Sequence, residues 1–469
     1  MNLINRLITL ILFIFFFSCQ EKENIPNNNN DDQSYELNYK HYTIDSLSGN
    51  VTESDISIHD FSSAIQCKDC HAQHYEEWSS SFHAHSFNDP IFMNIWNSEK
   101  NHRPETGVMY CVQCHAPAAF VSGYNLDGIQ TIEDIEYSGI PDIIKEGVSC
   151  DICHTMVNKS PSVHTQDYVA AAAQYFLNPG EGVKYGSIIE PDSNSYHESL
   201  YLPLFTSSNS CKPCHNQFIR GMPIETTFSQ WNEDPRLSMG GPSCQNCHMQ
   251  KQSDGHSSHY FAGVDVLFYD GVDNTSGHYQ AVLNMLQDAA TIDFEYMNGQ
   301  TAILDTIRIS NDSLFIPVSV YNQTGHRLPS GTPFSREAWV EIVVYNELGD
   351  TIYSKGVLSN PALEFDYNDQ DLMLYTTILY DQENQQGNII YEASNALSYD
   401  DRTLRTLFYD NKTYSIYLGD QISGEIFIKA RMLFRSFKPQ IINDFLPESI
   451  DNIPIIEMCS DSSSIVVSR

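Results

Sequence analysis

Five cysteine pairs in this chain share one spacing and one following residue. Each pair has two residues between its cysteines and a histidine directly after it, as in Cys67–His71, Cys111–His115, Cys150–His154, Cys211–His215 and Cys244–His248. With 17 histidines in 469 residues, chance does not explain five such coincidences. The spacing is that of covalent heme attachment, in which two thiols add to the porphyrin vinyl groups and the adjacent imidazole binds the iron.

Two other chemistries use paired cysteines. A zinc ribbon needs two such pairs but has no use for a histidine after each one. A disulfide framework leaves the histidines unexplained as well. We therefore predict five heme c groups attached through Cys67, Cys70, Cys111, Cys114, Cys150, Cys153, Cys211, Cys214, Cys244 and Cys247. The predicted proximal iron ligands are His71, His115, His154, His215 and His248.

Each iron needs a second axial ligand or keeps an open face. The chain has twelve further histidines, more than five irons require. His278 opens a predicted helix just after the last motif, so we predict it as a ligand. His102, His164 and His256 are further candidates.

The segment around the first motif resembles a known family. Cys67-Lys-Asp-Cys70-His71 is followed by Tyr75, and then by Trp78, Ser81, His83 and Ala84. This pattern is similar to the cytochrome c-554 family of multiheme electron carriers, which is related to the hydroxylamine oxidoreductases. The resemblance implies that His83 is an axial ligand. The family carries a different number of hemes, so its assignment of ligands to individual hemes does not transfer.

Two further segments resemble multiheme cytochrome signatures. Ser258-His259-Tyr-Phe-Ala-Gly263 is similar to a signature in which the histidine before an aromatic residue is a ligand. Gly325-His326-Arg-Leu-Pro-Ser-Gly331 resembles a turn found in multiheme cytochromes that carry a β domain. There the histidine reaches back to a heme. The resemblance therefore implies that His259 and His326 are ligands as well.

The ligand supply favours a carrier of electrons over an enzyme. Two histidines on each iron leave no position for a substrate and lower the reduction potential relative to histidine–methionine ligation. We therefore expect every iron to be low-spin. Two alternatives stay open. One is an oxidoreductase that acts on a small nitrogen or sulfur species at one open heme. The other is a binding module formed by the C-terminal domain on a heme stalk.

The N-terminus predicts export. Arg6 precedes an apolar run from Leu7 to Phe17, which is too short for a comfortable membrane span and is typical of a signal peptide. Ser18-Cys19 resembles the lipobox of bacterial lipoproteins, so we expect a lipid on Cys19 and an outer-membrane protein facing the periplasm or the cell surface. The alternative is an ordinary signal peptide that is cleaved elsewhere.

Four segments follow from composition and patterning. We predict a signal peptide at 1–18, a lipidated tether at 19–60, a pentaheme domain at 61–290 and an antiparallel β-sandwich at 291–469. The heme domain is expected to be mainly α-helical and irregular, with the porphyrins forming much of its interior. Its candidate helices are 207–220 and 276–290. Alternating, β-branched stretches past residue 295 favour an immunoglobulin-like sandwich, with strands at 314–321, 338–345, 351–357, 372–380, 414–418 and 424–434.

Charge narrows the possible partners. Asp and Glu number 60 against 25 Lys and Arg, so the net charge is -35. Such a chain cannot neutralise a phosphate backbone, which excludes nucleic-acid binding as a main role. We expect redox proteins as partners, with the donor and the acceptor unspecified, and a cationic docking surface on them.

Overall fold

Helices dominate the first part of the chain and strands the last. The computed structural model describes residue 40 and residues 42–44, 51–102, 104–157, 175–219, 221–298, 302–419 and 422–468. Residues 42–44, 51–53, 102, 104–108, 297–298 and 302–304 are described by their backbone alone. The predicted signal peptide, Cys19 and His164 lie outside these ranges. Tyr39–Arg469 forms one compact unit.

The helices are short, as expected where cofactors replace apolar side chains in the interior. The described residues form thirteen α-helices, which are α1 Ala72–Ser79, α2 Phe82–His85, α3 Pro90–His102, α4 Pro104–His115, α5 Pro117–Ser122, α6 Ile132–Tyr137, α7 Asp142–Lys145, α8 Cys150–His154, α9 Thr227–Glu233, α10 Pro235–Ser238, α11 Cys244–His248, α12 Gly277–Gln287 and α13 Pro439–Phe445. Within the described ranges, none of the helices combines the length and the hydrophobicity that crossing a bilayer requires.

Strands before residue 290 are few and short. They are β1 Tyr42–Ile44, β2 Val51–Ser54, β3 Val183–Gly186, β4 Glu198–Tyr201, β5 Gln217–Ile219 and β6 Met222–Glu225. The later strands are β7 Ala290–Asp293, β8 Glu295–Asn298, β9 Ala302–Thr306, β10 Arg308–Ser310, β11 Ser313–Asn322, β12 Glu337–Asn346, β13 Thr351–Lys355, β14 Leu374–Tyr375, β15 Thr377–Tyr380, β16 Ile389–Ile390, β17 Ser398–Asp401, β18 Tyr409–Tyr417, β19 Gly424–Arg435 and β20 Ile456–Val467.

Two antiparallel sheets form most of the C-terminal region. One has the order β10-β11-β18, with β7 also paired to β11. The other has the order β13-β12-β19-β20, with β14 also paired to β12. Alternate residues of both sheets, including Val318, Ile342 and Ile428, fall in one buried apolar cluster. The side-chain period of two along each strand produces this shared core.

The last helix of the heme-motif region joins that core. Val282 and Leu286 of α12 are 0% and 1% exposed and pack in the same cluster as the strands. A separate cluster, which includes Trp96, Phe120 and Ile152, lies among the first eight helices. The α12 helix therefore connects the helical region to the sheets by packing as well as by sequence.

The coarse division into a helical N-terminal part and an antiparallel β C-terminal part is confirmed. All six predicted strands are present within a few residues, although 372–380 is interrupted at Thr376 between β14 and β15. The immunoglobulin-like topology and the domain boundaries stay predictions. The helix predicted over 276–290 is α12.

The helix predicted over 207–220 is wrong. The chain there forms a 3-10 turn at Ser208–Ser210, the turns of the fourth cysteine motif and then strand β5. Pro213 lies inside this motif and has no amide hydrogen to donate, so it interrupts a helical hydrogen-bond pattern.

Candidate heme-binding sites

Each cysteine motif occupies one turn of helix-like backbone. The third and fifth motifs are helices α8 and α11, and the second motif ends α4. The first and fourth motifs follow 3-10 turns, and there His71 N and His215 N donate to the first cysteine carbonyl at 2.9 and 3.1 Å. A helical turn brings residues three and four apart to one side, so both thiols and the imidazole can address one porphyrin.

One cavity connects all five motifs. Its volume is about 2770 Å³, and its walls include all ten motif cysteines and all five motif histidines. That volume exceeds the roughly 300–1,000 Å³ of a pocket for one small ligand. The cavity and its donors therefore fit several hemes better than a single cofactor.

Four motif histidines each face a second imidazole at nearly the same distance. The ring centres of His71 and His197, His83 and His215, His154 and His259, and His248 and His326 are 6.3, 6.3, 6.4 and 6.3 Å apart. A metal bound between two imidazoles, with metal–nitrogen bonds of about 2 Å, separates the ring centres by about 6 Å. These four pairs therefore fit an iron between them.

Backbone carbonyls orient the rings of five candidate ligand histidines. The Nδ1–H groups of His115, His154, His248, His259 and His326 donate to the carbonyls of Ser86, Tyr185, Ala262, Ser257 and Arg327 at 2.6, 2.7, 2.6, 2.7 and 2.9 Å. A hydrogen bond at Nδ1 sets the tautomer and leaves Nε2 free to bind a metal. This arrangement is the usual outer shell of a ligating histidine.

Burial keeps these imidazoles in the form that binds metals. Removal from water lowers the pKa of His83 to about 3 and the pKa of His115, His259 and His326 to about 4 each. A cationic imidazole has no free lone pair at either ring nitrogen. A neutral ring can donate its Nε2 lone pair to iron.

His215 has a different partner. Its Nδ1 lies 3.7 Å from the Oε1 atom of Glu225, the last residue of β6. Burial lowers the pKa of His215, and the Glu225 carboxylate together with the thiols of Cys214 and Cys244 raises it. Among the motif histidines that the structure describes, His215 is the one with a carboxylate beside Nδ1.

Two hydrogen bonds and one packing contact hold the helix that carries His83. Trp78 Nε1 donates to the Val148 carbonyl at 2.8 Å, and Val148 N donates to the His83 carbonyl at 2.9 Å. Trp78 and Ala84 pack together in a small buried cluster. The tryptophan and alanine of the recognised pattern therefore position His83 opposite the fourth motif and not the first.

Hydrogen bonds hold the short segments that carry His259 and His326. His259 N donates to Glu77 Oε2 of α1 at 2.6 Å. Asn322 at the end of β11 is fully buried, and its side chain donates to the His326 carbonyl at 2.9 Å. The first contact joins segments that are far apart in sequence, and the second closes the short turn that follows β11.

His278 forms no such pair. Its side chain is 6% exposed, and its ring lies 6.0 Å from that of Phe82. Among the described rings, it stands opposite none of the five motif histidines, and its role as a ligand stays a prediction. His256 instead contacts the carboxylates of Glu77 and Asp254 at 2.9 and 2.5 Å.

His115 also lacks a facing imidazole among the described side chains. Its ring stacks on Phe92 with the centres 4.0 Å apart. The side chain of His102 is not among those described, and His164 lies outside the described ranges.

His197 is the histidine that sequence reasoning missed. It follows an irregular loop and begins no recognised motif, and it directly precedes β4. The parallel pairing of β3 with β4 fixes the strand that follows His197, and the ring of His197 meets that of His71 in the first motif. Only that tertiary contact distinguishes His197 from the other surplus histidines.

Cysteines of different motifs adjoin one another. Cys114 Sγ lies 4.0 Å from the Cys214 carbonyl. Thiol hydrogen bonds with Cys67 and Cys244 raise the pKa of Cys150 and Cys211, ahead of the burial that acts in the same direction. Motif one therefore adjoins motif three, and motif four adjoins motifs two and five.

The alternatives for the cysteines find no support in the described part of the chain. The eleven cysteines described there form no disulfide. No group of three or more His, Cys, Asp or Glu side chains in these residues is placed to hold a metal ion by itself.

Comparisons with known proteins point in the same direction. Residues 66–155 match the family model described as cytochrome c554 and c-prime. No curated protein matches the chain. The fold is similar to the crystal structure of a penta-heme cytochrome c552 from Thermochromatium tepidum, with 17% identity and a TM-score of 0.62. That similarity covers 87% of this chain and 100% of the other, so it extends into the C-terminal sheets. With the five motifs, these matches support a multiheme c-type cytochrome that carries heme c.

Proposed function

We propose that this protein carries electrons through five covalently bound hemes. Heme c, when bound, supplies a one-electron ferric–ferrous couple. The two cysteines of each motif would hold one porphyrin, and the following histidine would bind its iron. His197, His83, His259 and His326 would bind the same irons at the first, fourth, third and fifth motifs.

The four imidazole pairs at 6.3–6.4 Å carry the proposal. Ligands on both faces of an iron leave no position for a substrate, which is the arrangement a carrier needs. The adjoining cysteines of motifs one and three, and of motif four with motifs two and five, support close spacing within two groups of hemes. All five motifs line the same cavity.

The alternative of a binding module on a heme stalk requires the C-terminal domain to be independent of the hemes. His326 belongs to that part of the chain, yet its ring centre lies 6.3 Å from that of His248. This contact favours a domain that takes part in heme ligation.

We further propose that the protein is exported and anchored to the outer membrane through a lipid on Cys19. The net charge of -35 suits redox partners with a cationic docking surface. Such partners would show association rates that fall as ionic strength rises.

A redox titration tests the carrier proposal. The heme-loaded protein should take up five electrons reversibly, and its ferric spectrum should be dominated by low-spin iron. A protein with fewer hemes, or one whose hemes are mostly high-spin, would contradict the proposal.

One observation favours a second candidate function at the second motif. His115 faces no imidazole among the described side chains, and the hydroxyl of Tyr110, beside Cys111 and Cys114, is buried there without a hydrogen-bond partner. An open iron beside a phenol could act on a small nitrogen or sulfur species. One high-spin iron and one carbon monoxide bound per chain would favour this function. Wholly low-spin iron and no carbon monoxide binding would exclude it.

A further inference from the structure

Glu225 places a carboxylate against the proximal imidazole of the fourth motif. Its side chain is 15% exposed, and its Oε1 atom lies 3.7 Å from His215 Nδ1. At that distance the carboxylate is too far from Nδ1 for a hydrogen bond and acts on the ring through its charge. The interaction is therefore electrostatic, and it acts on the ring that binds the iron.

The charge of Glu225 is poorly compensated. Its Oε1 atom accepts from the Thr227 hydroxyl and, at 3.4 Å, from Thr227 N. Its Oε2 atom is buried without a hydrogen-bond partner in the described part of the chain, and no described lysine or arginine forms an ion pair with it. The carboxylate is thus free to act on His215.

The other proximal histidines with a described Nδ1 partner have neutral ones. His115, His154 and His248 donate to backbone carbonyls at 2.6–2.7 Å. A carbonyl dipole orients the ring but carries no net charge, whereas a carboxylate adds a full negative charge close to the metal. Partners in this outer shell tune the potential of the site.

We infer that Glu225 sets the reduction potential of the heme bound by Cys211, Cys214 and His215 below the value that a neutral partner would allow. The inference rests on the proposed function. Oxidation adds one positive charge at the iron, and a nearby negative charge stabilises that oxidised form by Coulomb attraction, most strongly where water is excluded. Reduction removes the positive charge and with it that attraction.

The position of this heme gives the effect a consequence for the whole chain. Cys214 adjoins Cys114 of the second motif, and Cys211 adjoins Cys244 of the fifth. Glu225 therefore controls the energy of an electron at a junction of the path. A low potential there limits how many electrons the protein holds at a given external potential.

A charge-neutral variant tests the inference. Glu225→Gln keeps the shape of the side chain and removes its charge. In a potentiometric titration with dithionite as the reductant, one of five one-electron steps should move to higher potential. The expected change is at least tenfold in the ferrous-to-ferric ratio at fixed external potential, which is 59 mV for one electron. The electron paramagnetic resonance signal of one low-spin heme should change with it.

A second variant should shift the same redox step in the opposite direction. Thr227→Val removes the hydroxyl that donates to Glu225 and leaves the carboxylate in place. The same redox step should then move to lower potential, because the negative charge is less neutralised. Glu457→Gln is the matched control, since this carboxylate pairs with Arg431 in the C-terminal sheet and does not line the cavity. It should leave all five steps unchanged.

The possible outcomes distinguish a failure of the Glu225 inference from a failure of the carrier proposal. If the unmodified protein has five reversible steps and Glu225→Gln, loaded with five hemes, superimposes on it, the inference fails and the carrier proposal stands. Equal shifts of all five steps would also overturn the inference. A natural protein without five reversible hemes would defeat the carrier proposal itself.

Discussion

The candidate ligand histidines differ in whether the residues next to them in sequence form a recognisable motif. His83, His259 and His326 lie in recognisable patterns, and the structure sets each ring 6.3–6.4 Å from a motif histidine. His197 has no such pattern, yet its ring lies at the same distance from that of His71. At the residue scale, local sequence therefore identifies most ligand candidates but not the iron to which each belongs.

Removal of one ligand should affect one heme. We expect His326→Ala to convert the heme of the fifth motif from low-spin to high-spin, because His248 would lose the imidazole that faces it. A ferric absorption spectrum should show about one fifth of the hemes changed. His85→Ala is the control, since that ring hydrogen-bonds to Asn88 and faces no motif histidine among the described side chains. An unchanged spectrum in His326→Ala would show that His326 is not a ligand.

Asp89 should make stability depend on pH. Burial raises its pKa to about 7, and the hydrogen bond from Phe92 N opposes this rise only in part. The unfolded carboxyl ionises near pH 4, so between about pH 4 and pH 7 the folded state holds the extra proton. This stabilisation is present below pH 4 and is lost as pH rises through about 7. The loss amounts to about 4 kcal/mol at about 1.4 kcal/mol per pKa unit.

Asp89→Asn tests that pH dependence, because it keeps the cap at the start of α3 and cannot ionise. We expect the stability of the natural protein, relative to the variant, to fall between pH 4 and pH 8. Denaturant unfolding of the heme-loaded proteins, followed by circular dichroism, measures the difference. A constant difference across this range would show that Asp89 does not titrate there.

At the scale of elements, short connections aim the ligands. Gly147 has a φ of +62°, and a Cβ atom at this position would lie 2.7 Å from the His83 carbonyl and 2.2 Å from Ser86 Oγ. Only glycine permits the approach of this loop to α2. The loop and α2 therefore fix each other, and through them the direction of His83.

Gly147→Ala should disturb this arrangement. The left-handed backbone alone should cost about 1–2 kcal/mol, and the clash with α2 should add to it. We also expect a spectral change at the heme between His83 and His215. Gly139→Ala is a matched control, because its φ is +76° but no atom lies within 4 Å of the added carbon. The control should lose stability without the spectral change, and equal spectra in both variants would contradict the positioning role.

The central sheet of the C-terminal region contains a buried ion pair. Glu337 and Arg435 face each other across β12 and β19, and both side chains are 0% exposed. Arg435 Nε donates to Glu337 Oε2 at 2.7 Å, and the Tyr367 hydroxyl donates to Glu337 Oε1 at 2.8 Å. Removing one partner from such a pair leaves an uncompensated charge, so the network stabilises this register of the two strands.

At the scale of the whole molecule, the interior consists of apolar clusters and one large cavity. The heme motifs occupy short helices and turns around one cavity of about 2770 Å³. The described helices before residue 160 have their own apolar cluster, and the sheets have another. Under the proposed function, porphyrins would fill much of the remaining interior.

The heme content is directly measurable. We expect an intact mass equal to the mature polypeptide plus five hemes, and colour that stays with the protein after acid–acetone extraction. The thioether bonds to the ten motif cysteines are the reason. Extraction of the colour, or a mass with fewer hemes, would contradict five covalent attachments. Cys211→Ala with Cys214→Ala should reduce the added mass by one heme.

The proposed heme chemistry can be predicted from the sequence alone, because covalent heme attachment depends on residues only a few positions apart. The same holds for the main strands, whose alternation of apolar and polar residues is local. Strand β20 was not predicted, because several serines interrupt its apolar pattern. It forms by pairing with β19, which is a tertiary contact. The short-range patterns therefore report what the chain binds and where its main strands run.

Tertiary structure alone decided which histidines meet. His83 is twelve residues after His71 in sequence, yet its ring faces His215, and His197 faces His71 instead. Glu225 likewise reaches His215 because β5 and β6 form a hairpin directly after the fourth motif. The proposed axial ligation and electrostatic tuning would join side chains from separate segments, and the packing of those segments depends on the whole folded chain.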